Sequence, residues 1–222
     1  MRYLIVNADD FGASHGANRG IVDAHRWGIV TSTSLLVEAQ GSAAAAALSR
    51  TVPTLSVGLH LALDGVAPRE LEAELQRQWD RFEALVGALP THLDSHHNTH
   101  RDPQVLTAVV RLAQPRDLPV REHSVARHCS RFYGQWGGET HPEQISVDGL
   151  LRLLDAEAHE GVTELSCHPA YADPDLRSGY LAEREMELRT LCDPAVREAL
   201  AAREIRLVGF RDLPRVLTAV GV

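Results

Sequence analysis

The sequence predicts an α/β fold: a distorted or incomplete (β/α) TIM-like barrel of about seven parallel strands, in a single domain spanning residues 1–222. Two observations favour it. Short apolar runs alternate with segments of helical apolar spacing, the pattern of parallel strands joined by right-handed crossovers. The polar residues best suited to catalysis directly follow these runs, as at the C-terminal strand ends of a barrel. An open doubly wound sheet is the structural alternative.

Seven apolar runs predict the strands, because each run is too short for a buried helix. They lie at residues 3–6, 31–37, 55–61, 91–94, 118–121, 163–167 and 205–210. A long loop is predicted at 125–145, since that stretch holds Gly134, Gly137, Gly138 and Pro142.

Helices are predicted between the strands. They lie at 15–27, 43–48, 69–86 and 146–160, at the C-terminus, and in two segments that open at Asp102-Pro103 and Asp193-Pro194. Aspartate followed by proline is typical of an N-cap and the first helical position. Within 69–86, the residues Leu71, Leu75 and Trp79 fall on one apolar stripe. The charged residues along 69–86 and 183–206 predict solvated helix faces.

The composition excludes several classes of function. The net charge is −8, and all 22 basic residues are arginine. A negatively charged chain does not favour a nucleic-acid partner. The absence of lysine excludes Schiff-base enzymes, pyridoxal-phosphate enzymes and the lysine-containing phosphate loop. No GxGxxG follows the first strand, so dinucleotide binding is not expected.

Cysteine usage and hydropathy indicate the compartment. Cys129, Cys167 and Cys192 are far apart and lack CxxC spacing, which predicts free thiols in a reducing environment. No apolar stretch approaches the ~18 residues of a membrane span. We therefore expect a cytoplasmic protein with no membrane span. The sequence leaves the oligomeric state open, with a homodimer as one candidate.

Nine polar side chains end or follow the predicted strands and are the candidates for a functional site. They are Asp9, Asp10, His60, Asp94, His96, His97, His100, Arg121 and His168. The C-terminal strand ends of a barrel form one face, so these residues are expected to converge. The run 94–100 carries the clearest signal, because such a cluster of histidines is costly to bury without partners.

Asp10, His60 and His96 are the candidate metal ligands. One carboxylate and two imidazoles suit Zn, Mn, Co or Fe(II) and leave positions open for water and substrate. Neighbouring residues of an extended segment point to opposite faces, so His97 is expected beside the site or at the surface. Asp94 can share a face with His96. The same alternation turns Cys167 away from the pocket if His168 faces it, and this argues against a cysteine nucleophile.

Two motifs, NADDFG at 7–12 and HLDSHH at 92–97, are specific in combination. With GIVTSTS at 28–34, GLHL at 58–61 and CHPA at 167–170, they resemble the YdjC-like carbohydrate deacetylases, whose best-known members are chitooligosaccharide deacetylases. The resemblance runs in order through nearly the whole chain. It implies a distorted (β/α) barrel, one divalent metal ion (Zn, Mg, Mn or Co) held by Asp10, His60 and His96, and an N-acetylated sugar as substrate.

Two departures from the family pattern concern the pocket. Members often carry a long insertion after the GLH strand, whereas one loop and one helix fill the interval between Leu61 and Thr91 here. Asn98 replaces a histidine that is common in this family's run.

The resemblance leads to a hypothesis of metal-assisted amide hydrolysis. Asp9 acts as the general base and His168 protonates the departing amine, with His100 as the alternative acid. Arg121 orients Asp9, and Asp94 holds a histidine tautomer. Two other functions stay open: a non-haem Fe(II) oxygenase using the same Asp-His-His set, and a non-catalytic sugar-binding barrel.

Overall fold

The computed structural model describes residues 1–176 and 178–220, and these form the expected α/β architecture. The strands are β1 (Arg2–Phe11), β2 (Ser32–Leu35), β3 (Ser56–Leu61), β4 (Leu93–Ser95), β5 (Ala126–Cys129), β6 (Gln135–Trp136), β7 (Glu139–Thr140), β8 (Gly161–Cys167) and β9 (Ile205–Leu207). The helices are α1 (His15–Trp27), α2 (Ser42–Ser49), α3 (Leu71–Val86), α4 (Pro103–Ala113), α5 (Val147–Glu157), α6 (Ala182–Leu191), α7 (Pro194–Ala202) and α8 (Leu213–Val220).

The main sheet is parallel, and β1 is its central strand. Six strands follow the order β4-β3-β2-β1-β8-β5, and β9 also pairs with β1. Residues 2–4 of β1 pair with β9, whereas β2 pairs with β1 further along, at Asn7, Ala8 and Phe11. All residues of β1 after the first are buried. This near-continuous burial is what a parallel sheet covered by helices requires.

The sheet curls into an incomplete barrel, as the position of one side chain demonstrates. The Arg121 guanidinium lies within 2.8 Å of Asp94 on β4 and within 2.7 Å of Glu164 on β8. Three strands separate β4 from β8 along the sheet. A flat sheet with ~4.8 Å between strands would hold them roughly 19 Å apart. The fold is therefore the predicted half-closed barrel and not the open, doubly wound alternative.

One strand prediction was wrong in position. Residues 118–121 form no strand and contribute only an isolated parallel bridge between Leu93 and Val120. The strand lies a few residues later, at β5, which pairs with β8 from Ala126 to Cys129. The predicted loop at 125–145 therefore contains β5 and the antiparallel β6–β7 hairpin. Residues 126–129 hold Arg127 and His128, and these polar residues hid the strand from an apolar pattern.

The helix starts follow from local capping. Asp102 accepts hydrogen bonds from the backbone N–H groups of Gln104 and Val105 at the start of α4, and Asp193 accepts one from Ala195 at the start of α7. Both N-cap predictions are confirmed. The apolar stripe of α3 is also buried as predicted. Among the described residues, no helix has both the length and the apolar character needed to cross a membrane.

The prediction of solvated helix faces along 183–206 was wrong for part of α6. Glu183, Arg184 and Glu187 are all buried. A charged residue is rarely buried unless it is paired, and each of these finds a partner on another element. Glu183 accepts a hydrogen bond from Thr140, Arg184 donates one to Asp10, and Glu187 accepts one from the His168 backbone. Helical spacing alone carries no information about such partners.

Gly58 on β3 allows close packing of an aromatic layer inside the barrel. A Cβ at this position would overlap the ring of His92. The other face of this imidazole stacks on Phe210, with ring centroids 3.8 Å apart. Only glycine leaves room for the ring there.

Candidate metal and catalytic site

A cavity of about 660 Å³ opens at the C-terminal ends of the strands. It is lined by residues from β1, β3, β4, β8, α6 and the connections between them: Asp9, Asp10, Ala13, Leu36, His60, Ser95, His96, His97, Asn98, Arg121, Ser130, Tyr133, Ser166, His168, Leu176, Ser178, Gly179, Tyr180 and Arg184. Seven of the nine predicted candidates are in this lining. The other two, Asp94 and His100, lie buried behind it.

A bulge in β1 brings two neighbouring carboxylates to the same cavity. The β1–β2 register shifts between Ala8 and Phe11, and Asp10 has a positive φ of 67°. A bulge interrupts the alternation of side chains along a strand and re-aims them. Asp9 and Asp10 therefore both face the cavity, which strict alternation would forbid.

Asp10, His60 and His96 converge as the sequence predicted. The Asp10 Oδ1 atom lies 3.6 Å from His60 Nε2 and 3.7 Å from His96 Nε2. This oxygen is buried and has no hydrogen-bond partner. The residues come from β1, from β3 and from the turn after β4. An unpartnered buried carboxylate oxygen facing two imidazole nitrogens is the arrangement that a divalent cation would complete.

The distances between these atoms fit a metal ion. Ligand atoms ~2.1 Å from a tetrahedral ion lie about 3.4 Å from one another. The other ring nitrogen of each histidine is already occupied by a carboxylate. His60 Nδ1 donates to Asp94 at 2.7 Å, and His96 Nδ1 lies 3.3 Å from Asp64 Oδ2. These contacts fix the tautomers that leave both Nε2 atoms free to bind a metal.

Two other groups of side chains have metal-like proximity: Asp9 with His60 and Asp94, and Asp64 with His96 and His97. In the first group, Arg121 already donates hydrogen bonds to Asp9. The second is exposed, and its two histidine Nδ1 atoms share the Asp64 carboxylate. Both groups are internally satisfied. Of the three sets, we favour Asp10, His60 and His96, because only this one leaves a buried acceptor unpaired.

Arg121 is the centre of a buried ion-pair network. It donates Nη1 to Asp9 Oδ2 at 2.8 Å and Nη2 to Asp9 Oδ1 at 2.7 Å. Its Nη2 also contacts Asp94 at 2.8 Å, and its Nε donates to Glu164 at 2.7 Å. Burial opposes ionisation, but Arg121 outweighs it and holds the pKa of Asp9 far below its ordinary value. Asp9 is therefore an anion across the physiological pH range.

The charges around the candidate ligands shift their pKa values. Burial disfavours the charged form of His60, yet Asp94, Asp9 and Asp10 together raise its pKa to about 9. Burial likewise opposes ionisation of Asp10, but Arg184 and His168 lower its pKa to about 2. The site carries an excess of negative charge around His60, so a proton occupies this imidazole when no other cation does.

His168 directly follows β8 and lines the cavity. Its Nε2 lies 4.0 Å from Asp9 Oδ2. Burial and the Arg184 charge lower its pKa to about 4, so it is neutral at neutral pH. The backbone N–H of His168 donates to Glu187 Oε2, and the Tyr180 hydroxyl donates to Glu187 Oε1, both at 2.5 Å. As expected from alternation, the neighbouring Cys167 points away and is fully buried.

His97 and His100 have different surroundings. His97 is at the exposed rim, where its Nδ1 lies 3.1 Å from Asp64 Oδ1. His100 is fully buried behind the cavity, and its Nδ1 lies 2.6 Å from Ser95 Oγ. Of the two candidate general acids, only His168 lines the cavity.

Several further residues contact the candidates and were not identified from the sequence, and four charged ones bear on the site. These four are Asp64, Glu164, Arg184 and Glu187. Asp64 follows the GLHL motif by three residues, and its position near a strand end could have marked it. The other three lie inside a strand or a charged helix, where nothing in the pattern distinguishes them from structural residues.

Comparisons with known proteins place these features in a family. The family model of the YdjC-like proteins matches residues 3–69 and 62–202. Chitooligosaccharide deacetylases of Salmonella schwarzengrund and Salmonella typhimurium are each 38% identical over 258 aligned positions, which cover 96% of this chain and 99% of the relative. The two matched segments of the family model overlap at residues 62–69, in the connection after β3.

Solved structures agree with the fold. A protein of Enterococcus faecalis V583, described in terms of cellobiose-phosphate cleavage, has a TM-score of 0.80 and 30% identity, covering 96% of this chain and 98% of that one. A family 4 acetyl xylan esterase of Clostridium thermocellum, solved with a cobalt ion, has a TM-score of 0.59 at 13% identity, covering 100% and 93% of the two chains. The similarity of the esterase concerns the fold alone. By its family match and its curated relatives, this chain belongs to the YdjC-like family.

Proposed function

We propose that this chain is a divalent-metal-dependent hydrolase that removes the acetyl group from an N-acetylated sugar or oligosaccharide. The observation that carries the proposal is the unpartnered Oδ1 of Asp10, which faces the Nε2 atoms of His60 and His96. The curated relatives named chitooligosaccharide deacetylase support the choice of substrate class. They favour this activity over the iron oxygenase and the non-catalytic sugar-binding protein.

Asp10, His60 and His96 would hold the metal ion. When bound, such an ion supplies Lewis-acid polarisation of a carbonyl and makes water more acidic. The candidate ions are Zn, Mg, Mn and Co, and the two imidazole ligands favour Zn or Co over the harder Mg. The domain that carries the reaction is proposed to span residues 1–222.

The proton transfers are assigned to Asp9 and His168. Asp9, kept anionic by Arg121, accepts the proton that the attacking water loses. His168 is neutral at neutral pH and must gain a proton before it can donate one. Its Nε2 is 4.0 Å from Asp9 Oδ2, which is too far for direct transfer. One bridging water would carry the proton from Asp9 to His168, which then passes it to the departing amine nitrogen. The acetyl C–N bond breaks, and the water oxygen with its second proton leaves in acetic acid, which ionises to acetate. Asp9 and His168 return to their starting states.

The metal assignment is tested on protein stripped with a chelator. His60→Ala and His96→Ala are each expected to lose Co²⁺ binding by titration and to lose acetate release. His159→Ala is the control, because His159 is exposed and remote from the candidate ligands. The proposal fails if both ligand variants bind Co²⁺ as tightly as the unsubstituted chain. Acetate release from a panel of N-acetylated sugars, with each metal added back, then identifies the substrate and the active ion.

A further inference from the structure

The Asp10 carboxylate has two oxygens in very different surroundings. Oδ2 accepts a hydrogen bond from Arg184 Nη2 at 2.6 Å, whereas Oδ1 has no partner and faces the two imidazoles. Asp10 also sits at a positive φ inside a bulge, a conformation that costs free energy and needs support from its surroundings. The hydrogen bond from Arg184 therefore anchors Asp10, and it occupies one carboxylate oxygen while leaving the other free.

Arg184 is built to hold that contact. It is only 7% exposed, and its Nε donates to the Tyr180 carbonyl at 3.0 Å. Nε and Nη2 are thus both engaged, and the planar guanidinium cannot rotate without breaking one of the two bonds. The residue belongs to α6, which packs against α1 and α5 and so fixes the arginine relative to the sheet.

The hydrogen bond from Arg184 to Oδ2 limits how Asp10 can bind a metal ion. A free aspartate can bind a cation through one oxygen or through both. With Oδ2 taken by Arg184, only Oδ1 is offered beside His60 and His96. Three ligand atoms then leave positions open for water and substrate, as catalytic sites require.

We propose that Arg184 is a positioning residue that restricts Asp10 to one-oxygen binding of the metal and thereby keeps a coordination position open. This inference rests on the proposed metal site. It assigns a function to a buried charge that the proton transfers do not use. Arg184 acts through Asp10 on the ion and needs no contact with the substrate.

The experiment uses chelator-stripped full-length protein titrated with Co²⁺, with affinity and visible absorption as readouts. Arg184→Met removes the guanidinium and keeps much of the side-chain length. The expected result is a loss of Co²⁺ affinity of roughly 10- to 100-fold, the usual effect of removing a partner that orients a ligand. We also expect weaker visible bands, because a second carboxylate oxygen raises the coordination number.

Two further variants separate this role from charge and from packing. Arg184→Lys keeps the positive charge without the planar fork, and it is expected to show part of the same spectral change. Glu183→Gln changes a buried residue next along the same helix that contacts Thr140 instead of Asp10, and its spectrum should not change. Thermal unfolding of the stripped proteins reports whether each variant is folded.

An unchanged Co²⁺ spectrum in Arg184→Met would overturn the inference, whether Co²⁺ binding is weaker, unchanged or tighter. If Arg184→Met does not fold, an unchanged spectrum in the folded Arg184→Lys overturns it equally. Failure of the unsubstituted chain to bind Co²⁺ would instead refute the proposed metal site, so the two failures are distinguishable.

Discussion

Replacement of Arg121 by methionine is expected to lower the free energy of unfolding, because it removes the cation at the centre of the buried ion-pair network. The variant leaves Asp9, Asp94 and Glu164 buried together without the cation that all three contact. Removal of one partner from a buried ion pair typically costs 3–5 kcal/mol, because the remaining charge is uncompensated. We expect a loss of about that size at pH 7. For a chain of this length it lowers the Tm by roughly 6–20 °C.

The pH dependence of the loss identifies its cause. Arg121 holds the pKa of Asp94 at about 2 against the opposing effect of burial. Without the arginine, burial is expected to raise the pKa of these carboxyls above their unfolded values. The folded variant then binds protons more tightly than the unfolded chain. It should gain stability as the pH falls from 7 to 5, by up to about 1.4 kcal/mol per pH unit for each proton bound.

The assay is urea unfolding of Arg121→Met and of the unsubstituted chain between pH 5 and pH 8. Arg111→Met is the control, since its ion pair with Glu72 is exposed and worth less than about 1 kcal/mol. A loss below 1 kcal/mol at pH 7, or a loss that does not shrink at lower pH, would show that Arg121 is not what stabilises the three carboxylates.

Three other substitutions give further predictions. Asp9→Asn should keep Co²⁺ affinity within about threefold while kcat for acetate release falls by roughly 10²–10⁴, and near-normal turnover would exclude Asp9 as the proton acceptor. Burial raises the pKa of Glu187 from 4.5 to about 7, so the stability that it contributes is present below pH 4.5 and lost as the pH rises through 7. Glu187→Gln should remove that dependence, by about 3 kcal/mol across the interval in denaturant unfolding, and an unchanged pH profile would contradict the raised pKa. Gly58→Ala should cost about 1–3 kcal/mol in the same assay, since its Cβ overlaps the His92 ring, and a neutral effect would show that this layer can shift.

The sequence predicted the functional residues at the strand ends, but it did not predict the side-chain contacts between elements that are distant along the chain. Asp10 and His60 lie at the C-terminal ends of β1 and β3, and His96 directly follows β4. The topology of a barrel was therefore enough to bring them together. Arg184 could not be found this way, because its partner is 174 positions distant along the chain and its helix has the charge pattern of a solvated surface. The shared orientation of Asp9 and Asp10 was equally hidden, since it depends on a bulge in the β1–β2 register.

The misplaced fifth strand has a related cause. Residues 118–120 are apolar, yet the segment pairs with β4 only through a single bridge between Val120 and Leu93. The true strand, β5, has one buried residue at each end and the polar Arg127 and His128 between them. His128 contacts Glu122 and Ser166. These tertiary contacts allow a polar residue to stand in the strand, so the strand has no apolar pattern in the sequence.

The central claim is that Asp10, His60 and His96 hold one divalent ion, and anomalous diffraction from crystals of the Co²⁺-loaded protein tests it most directly. We predict a single strong anomalous peak, which places one Co²⁺ ion roughly 2.0–2.2 Å from Asp10 Oδ1 and from the Nε2 atoms of both histidines. A peak among Asp9, His60 and Asp94, or between Asp64 and His97 at the rim, would contradict it.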